Sequence, residues 1–213
     1  MNIKVISGDI ASQEVDAIIV SLFEDNPTAS GPTATVDGLF DSGITKLVEE
    51  GETTGRMGEI TLLHTFGKIP PSRIVVLGLG KQSSFEEESL KCLIGEVSRF
   101  VRKLGIKSVA TIAHGIGKGG LDSCSVGRAV TEGALLGLYK FDKYITSKSP
   151  HDIKEFSIVD QDPNNVKGLE QGIFEATILA KSTNGCRDMV NEPANQMTPT
   201  HMAETALQIA KKN

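Results

Sequence analysis

Val15-Asp16-Ala17-Ile18-Ile19-Val20-Ser21-Leu22 is the stretch that decides the architecture. Its apolar residues run on almost without interruption, the pattern of a strand buried on both faces. Such a strand belongs inside a sheet with helices above and below it. Working outward, strand-like segments recur at Ile3 to Ile6, Gly58 to His64, Arg73 to Leu79, Ser108 to Ala113 and Ile153 to Val159. Helical periodicity occupies the intervals. A first helix is expected from Asp37, as N-cap, to Glu50, with Phe40, Ile44, Leu47 and Val48 on one face and Gly51 as its stop. A second has Ser84 as N-cap and Glu87 at capping-box spacing. It carries Leu90, Leu93, Ile94, Val97, Val101 and Leu104 inward and ends at Gly105. A third starts near Asp122 and presents Val126, Ala129, Val130, Gly133, Ala134, Gly137, Leu138 and Phe141. Its small residues predict close packing of helix on sheet. A fourth begins at Asp162-Pro163 and runs to about Asn184. Its stripe of Val166, Leu169, Ile173, Ala176 and Ala180 is narrow, as on a helix lying at a surface or bridging domains. Asn26 to Thr35 reads as a surface loop. The alternation gives the α/β class: a mixed, mostly parallel sheet with helices on both faces, followed by a linker helix.

Bulk properties narrow the function. The 213 residues suffice for one full domain plus extra elements. A formal charge of −5 supplies no general footprint for nucleic acid or for an anionic membrane surface. Met1 to Ile10 lacks a signal pattern, and no apolar run approaches the roughly 18 residues that span a bilayer. Cys92, Cys124 and Cys186 are odd in number and widely spaced, so they read as buried free thiols in a reducing cytoplasm. Lys140 to Pro150, with Lys140, Lys143 and Lys148 among aromatics, reads as a solvated connector; an anion-binding strip is the sharper alternative.

Several residues invite chemistry and decline it. Gly115-Ile116-Gly117-Lys118-Gly119-Gly120 fits G-x-G-x-x-G between a strand and a helix. No acidic residue closes a strand at the expected distance beyond it, and the unit is not the first of the chain, so a tight structural turn is expected. Gly78-Leu79-Gly80-Lys81 lacks the spacing of a phosphate-binding loop. His64, His114, His151 and His201 have no partners at metal-ligand spacing. His64 and His114, at strand ends, are expected to be satisfied structural groups. Glu86, Glu87 and Glu88 sit in a helix first turn, where they complement its dipole. Read from the residues alone, no active site is assembled: no catalytic, cofactor-binding or metal-binding residue is assigned.

The last stretch is different. Cys186-Arg187-Asp188-Met189-Val190-Asn191-Glu192-Pro193-Ala194-Asn195-Gln196-Met197-Thr198-Pro199 leads into a helix from His201 to Lys212. It is too polar for core and reads as a rigid entry, with Pro193 restricting its neighbour and Thr198-Pro199 starting the helix. A helix of that length needs a surface for its apolar side. The expectation is a complete first domain, residues 1–162, an interdomain linker helix, 163–187, and the start of a second domain, 188–213.

Arg187 to Asn195 with Thr198-Pro199 resembles the segment that opens the catalytic domain of leucyl (cytosol) aminopeptidases. Glu132-Gly133-Ala134-Leu135-Leu136-Gly137-Leu138-Tyr139-Lys140-Phe141-Asp142-Lys143-Tyr144 is similar to the same family's helix and exit segment. The order of elements is that of its N-terminal domain, which resembles a macro domain. The resemblance implies a hexameric cytosolic metallopeptidase that removes N-terminal residues from peptides, using two divalent ions, zinc or manganese. The family's metal ligands belong to a C-terminal domain whose motifs are absent here, so none is carried onto this chain. Its implied role is architectural, beside its own catalytic domain. The alternative is a free-standing macro-type module binding ADP-ribose or a related nucleotide.

Overall fold

The computed structural model describes residues 1–147 and 151–212; of the connector read between Lys140 and Pro150, Lys148 lies outside that range. Six strands, β1 (Asn2–Ser7), β2 (Ala17–Leu22), β3 (Ile60–His64), β4 (Arg73–Gly78), β5 (Ser108–Ile112) and β6 (Glu155–Asp160), form one sheet in the order β1-β6-β5-β2-β4-β3. Every neighbouring pair is parallel except β3 with β4. The sheet is therefore mixed and mostly parallel, as the apolar run through β2 demands.

The six helices are α1 (Pro32–Leu39), α2 (Gly43–Glu49), α3 (Glu87–Lys103), α4 (Ser123–Gly137), α5 (Pro163–Asn191) and α6 (Pro199–Lys212). Alternate residues of β2 divide between two cores. Ala17 and Ile19 join Leu90, Ile94 and Val97 of α3, Val126 and Val130 of α4 and Leu169 of α5. Ile18, Val20 and Leu22 join Ile10, Val36 of α1 and Ile44 of α2 on the other face.

Several helix boundaries depart from the sequence reading; α4, for one, ends at Gly137, short of the Leu138 and Phe141 expected on its inward face. The expected first helix is two. The chain breaks at Asp41 and Ser42, both at positive φ (54° and 57°). Asp37 lies within α1 and caps α2 from there: its Oδ1 accepts from the Ile44 N–H at 2.7 Å and the Thr45 N–H at 3.2 Å. The expected surface loop also ends early, since α1 begins at Pro32. Ser84 does not cap α3; it closes a short helical turn, Gln82–Ser84, and Glu86 precedes the helix. Glu87 cannot reach back as a capping box because Arg128 of α4 holds both its oxygens, at 2.6 and 2.9 Å. That guanidinium holds the Glu87 carboxyl below its ordinary range. Asp122 and Asp162 do cap α4 and α5, accepting from the Ser125 and Asn164 N–H groups.

The small residues of α4 serve helix-on-helix packing rather than helix-on-sheet. A Cβ on Gly137 would lie 2.6 Å from the Gly95 Cα of α3, and one on Gly127 would lie 2.5 Å from the Leu169 carbonyl oxygen of α5. The α4 helix is thus pressed between α3 and α5 at backbone distance. The cysteines are free, but Cys92 and Cys186 are exposed and Cys124 is half-buried, against the expectation of buried thiols.

Candidate functional site

Two places on this scaffold gather polar side chains. The first is a cavity of about 400 Å³ at the carboxyl ends of β2, β5 and β6. Ligands of open α/β sheets sit at such ends. The Gly115–Gly120 loop forms part of its wall, but its geometry is that of a self-closed turn. The Gly117 N–H donates to the Leu121 carbonyl and the Lys118 N–H to the Gly115 carbonyl, each at 2.9 Å. Gly119, at φ +56°, has no room for a side chain, because a Cβ would lie 2.0 Å from the Phe85 carbonyl oxygen. Phe85, not a phosphate, accounts for glycine there. Gly78, in the other glycine stretch, is crossed closely by the Arg56 carbonyl in the same way.

The charges of the cavity are Lys118, Asp160 and Asp162. Both carboxylates serve the start of α5: Asp160 accepts from the Asp162 N–H at 2.7 Å, and Asp162 from the Asn164 N–H at 2.9 Å. One ammonium against two carboxylates disfavours a pyrophosphate, whose binding wants a surplus of donors and cations. ADP-ribose and NAD are expected not to bind in the micromolar range. Saturable heat of binding by titration calorimetry, abolished by Gly117→Val, would put a nucleotide in this cavity.

A Ser–His pair starts at the cavity wall: Ser21 lines the cavity and His114 lies behind it. His114 is fully buried, with Nδ1 2.9 Å from Ser21 Oγ and Nε2 2.6 Å from Thr111 Oγ1. Burial pushes its pKa down to about 3. A general base must accept a proton near the working pH and have that charge stabilised by a third group. Here the third group is a neutral hydroxyl, so the pair is structural. His114 is thus the satisfied group that was expected. His64 is not: it is exposed at the end of β3, its ring 6.1 Å from that of Phe66. Among the described residues no group of three or more His, Cys, Asp or Glu is placed to hold a metal ion.

The second place is the junction at the end of α5. That helix runs seven residues beyond its expected end near Asn184, and the extension is tied to the last turn of α4 and the stretch that follows it. The Asn184 side chain donates to the Leu135 carbonyl at 3.2 Å, and the Arg187 guanidinium to the Leu136 carbonyl at 3.1 Å. The same guanidinium lies over the Tyr139 ring at 5.4 Å. Tyr139 Oη donates to Asp188 at 2.8 Å and accepts from Asn191 Nδ2 at 3.2 Å. Glu192 ends the series. Its side chain is only 8% exposed, and its two oxygens accept separately from Lys143 Nζ and Tyr144 Oη, both at 2.5 Å. The hydrogen bond from Lys143, then that from Tyr144, lowers the pKa of Glu192. Beyond it Pro193 accepts from the N–H groups of Gln196 and Met197, and Thr198 Oγ1 receives the His201 N–H at the start of α6. The two stretches singled out in the sequence for their resemblance, 132–144 and 187–195, therefore meet in space. Nothing in the spacing of either one signalled that they pair.

Fold and junction define a class: a macrodomain-like α/β unit that continues through one long helix into a further helical element. The particular family follows from comparison with known proteins. The cytosol aminopeptidase family, N-terminal domain, matches residues 19–148, and the chain belongs to that family. A relative named probable cytosol aminopeptidase, from Alkaliphilus metalliredigens, is 33% identical over 216 residues, covering 100% of this chain and 43% of its own length. The chain thus spans less than half of that relative. Among solved structures, a tomato leucine aminopeptidase mutant superposes with a TM-score of 0.79 at 19% identity, over 100% of this chain and 42% of that one. The bottromycin maturation enzyme BotP in complex with Mn gives 0.70 at 22%, over 93% and 36%. A Trypanosoma brucei macrodomain gives 0.62 at 14%, over 79% and 65%, a likeness of fold alone.

Proposed function

We propose that these residues are the non-catalytic, architectural N-terminal part of a cytoplasmic aminopeptidase that removes N-terminal amino acids from peptides. The observation that carries this reading is the family match along a chain that spans 43% of its relative. In it, residues 1–162 are the first domain, 163–187 the interdomain helix and 188–213 the start of the catalytic domain. No catalytic or metal-binding role is assigned to any of the described residues. Two divalent ions, zinc or manganese, would be held by the remainder of the enzyme and would supply Lewis-acid chemistry there, activating a water and polarising the scissile carbonyl. The manganese of BotP supports the metal class. Peptide is the substrate, and a hexamer of such chains is the assembly the family resemblance implies.

Exposed apolar side chains agree with a missing neighbour. Phe174, Ile178 and Leu179 of α5 and Leu207 of α6 are all more than half exposed; Phe174 and Ile178, four apart on one helix, share a face, and apolar surface of that kind marks an interface. No helix among the described residues is long and apolar enough to cross a membrane. Reading the coding frame past residue 213 tests the proposal. The expected result is a continuation bearing a lysine ahead of Asp-Ser-Gly-Gly and an Asn-Thr-Asp-Ala-Glu-Gly-Arg segment. A stop codon there, or an unrelated domain, would leave the free-standing macro-type module as the better reading.

A further inference from the structure

Exposed ion pairs usually contribute little to stability, and the junction has a feature that sets it apart from them. The chain from Leu138 to Ser147 has no regular structure. In the last part of it, the side chains of Lys143 and Tyr144 both reach one carboxylate, that of Glu192. Lys143 also lies over the Tyr144 ring at 5.5 Å, and Phe141 packs beside that ring at 6.0 Å. Charge-assisted bonds to a largely covered carboxylate, from two donors at once, fix geometry as well as adding energy.

Glu192 is also where the direction of the chain changes. It is the C-cap of α5, with φ −67° and ψ 135°, extended because Pro193 excludes the helical conformation at the preceding residue. Pro193 fixes its own φ, and the turn from Pro193 to Met197 is closed by backbone bonds. Rotation about the Glu192 backbone would therefore swing α6 as a unit. The side chain of that same residue is the one held by Lys143 and Tyr144.

We propose that the Lys143–Glu192–Tyr144 clasp, backed by Tyr139–Asp188, is a positioning device that sets the direction in which the chain leaves the α/β unit. Glu192 acts through its backbone: anchoring its carboxylate restricts the hinge on which α6 turns. That this would orient a following catalytic unit rests on the functional reading above; the direction itself is a property of the chain as it stands.

The test reads direction rather than stability. Spin labels are placed on Cys92 of α3 and on Leu207→Cys of α6, in a Cys124→Ser, Cys186→Ser background. Electron double resonance then gives their distance distribution. With Glu192 intact a single narrow distribution is expected. Glu192→Ala should widen it at least about twofold as other hinge directions become populated, while hydrogen exchange in the β2 amides stays unchanged. The double variant Lys143→Met, Tyr144→Phe leaves α5 untouched and should widen it equally. An unchanged distribution in both variants would overturn the proposal. So would widening accompanied by loss of β2 protection, which would make the clasp a general stabiliser. Neither outcome bears on what the coding frame reads beyond residue 213, so the two ideas fail separately.

Discussion

Gly172→Val is expected to destabilise the chain by about 3 kcal/mol, the upper part of the usual range for overpacking. A Cβ at this position would lie 2.2 Å from the Cys124 carbonyl oxygen and 2.6 Å from the Arg128 amide nitrogen. Both are backbone atoms of α4, which is itself held against α3 at Gly133 and Gly137, so α4 cannot retreat. Helix propensity acts the other way, since glycine costs about 1 kcal/mol relative to alanine in a helix interior. The clash wins because no flexible side chain is available to move. Gly185, in the same helix, supplies the control. Nothing lies within 4 Å of its added Cβ, and Gly185→Ala should stabilise by up to about 1 kcal/mol. Urea denaturation of the two variants beside the native chain checks both signs. A Gly172→Val chain as stable as the native one would mean that α4 and α5 do not pack at backbone distance.

The second large effect is on pH dependence. His114 is neutral in the fold because burial lowers its pKa from 6.5 to about 3. Unfolded, it titrates near its ordinary value. Between those two values the unfolded chain binds a proton that the folded chain does not, so stability falls as the pH falls. The loss begins below about pH 6.5 and steepens toward about 1.4 kcal/mol per pH unit. Carboxylates with lowered pKa, such as Glu192 and Glu87, lose their contribution only further down, as the pH falls through their folded values. The window from about pH 6.5 to about pH 5 therefore isolates the histidine, and about 1.6 kcal/mol should be lost across it. His114→Gln retains an amide that can donate and accept, and it removes the titration. Its stability should be lower overall but nearly flat across the window. Equal slopes for native and variant would place an ionisable imidazole in the fold, and Ser21–His114 would then qualify as a nucleophile pair.

The sheet was legible because burial on both faces leaves a direct trace: β2 and β4 are short, almost unbroken runs of Ile, Val, Leu and Ala. The caps of α4 and α5 were legible because Asp122 and Asp162 act locally. What escaped depends on contacts distant in sequence. Asp37 was legible as a cap, but nothing announces that it caps from within α1, seven residues ahead of the Ile44 N–H, and that the chain breaks at Asp41 and Ser42. Glu87 has capping-box spacing, but Arg128, 41 residues on, takes it instead. The last turns of α5 are polar and read as linker. They remain helical because Asn184, Arg187, Asp188 and Asn191 each find a partner between Leu135 and Tyr139. The cavity at the strand ends left no trace, since its walls come from loops far apart in the chain.

The measurement that bears most directly on the role assigned to these residues is a hydrolysis assay on the purified chain with amino-acid amides and short peptides, with and without added manganese or zinc. No grouping of His, Cys, Asp or Glu among the described residues is placed to hold an ion, and neither the Gly115–Gly120 turn nor the Ser21–His114 pair offers a nucleophile. The expected result is no turnover above the uncatalysed rate under any metal condition. Metal-dependent turnover that follows the chain through successive columns and disappears with chelator would contradict it, and would place catalytic groups inside residues 1–213.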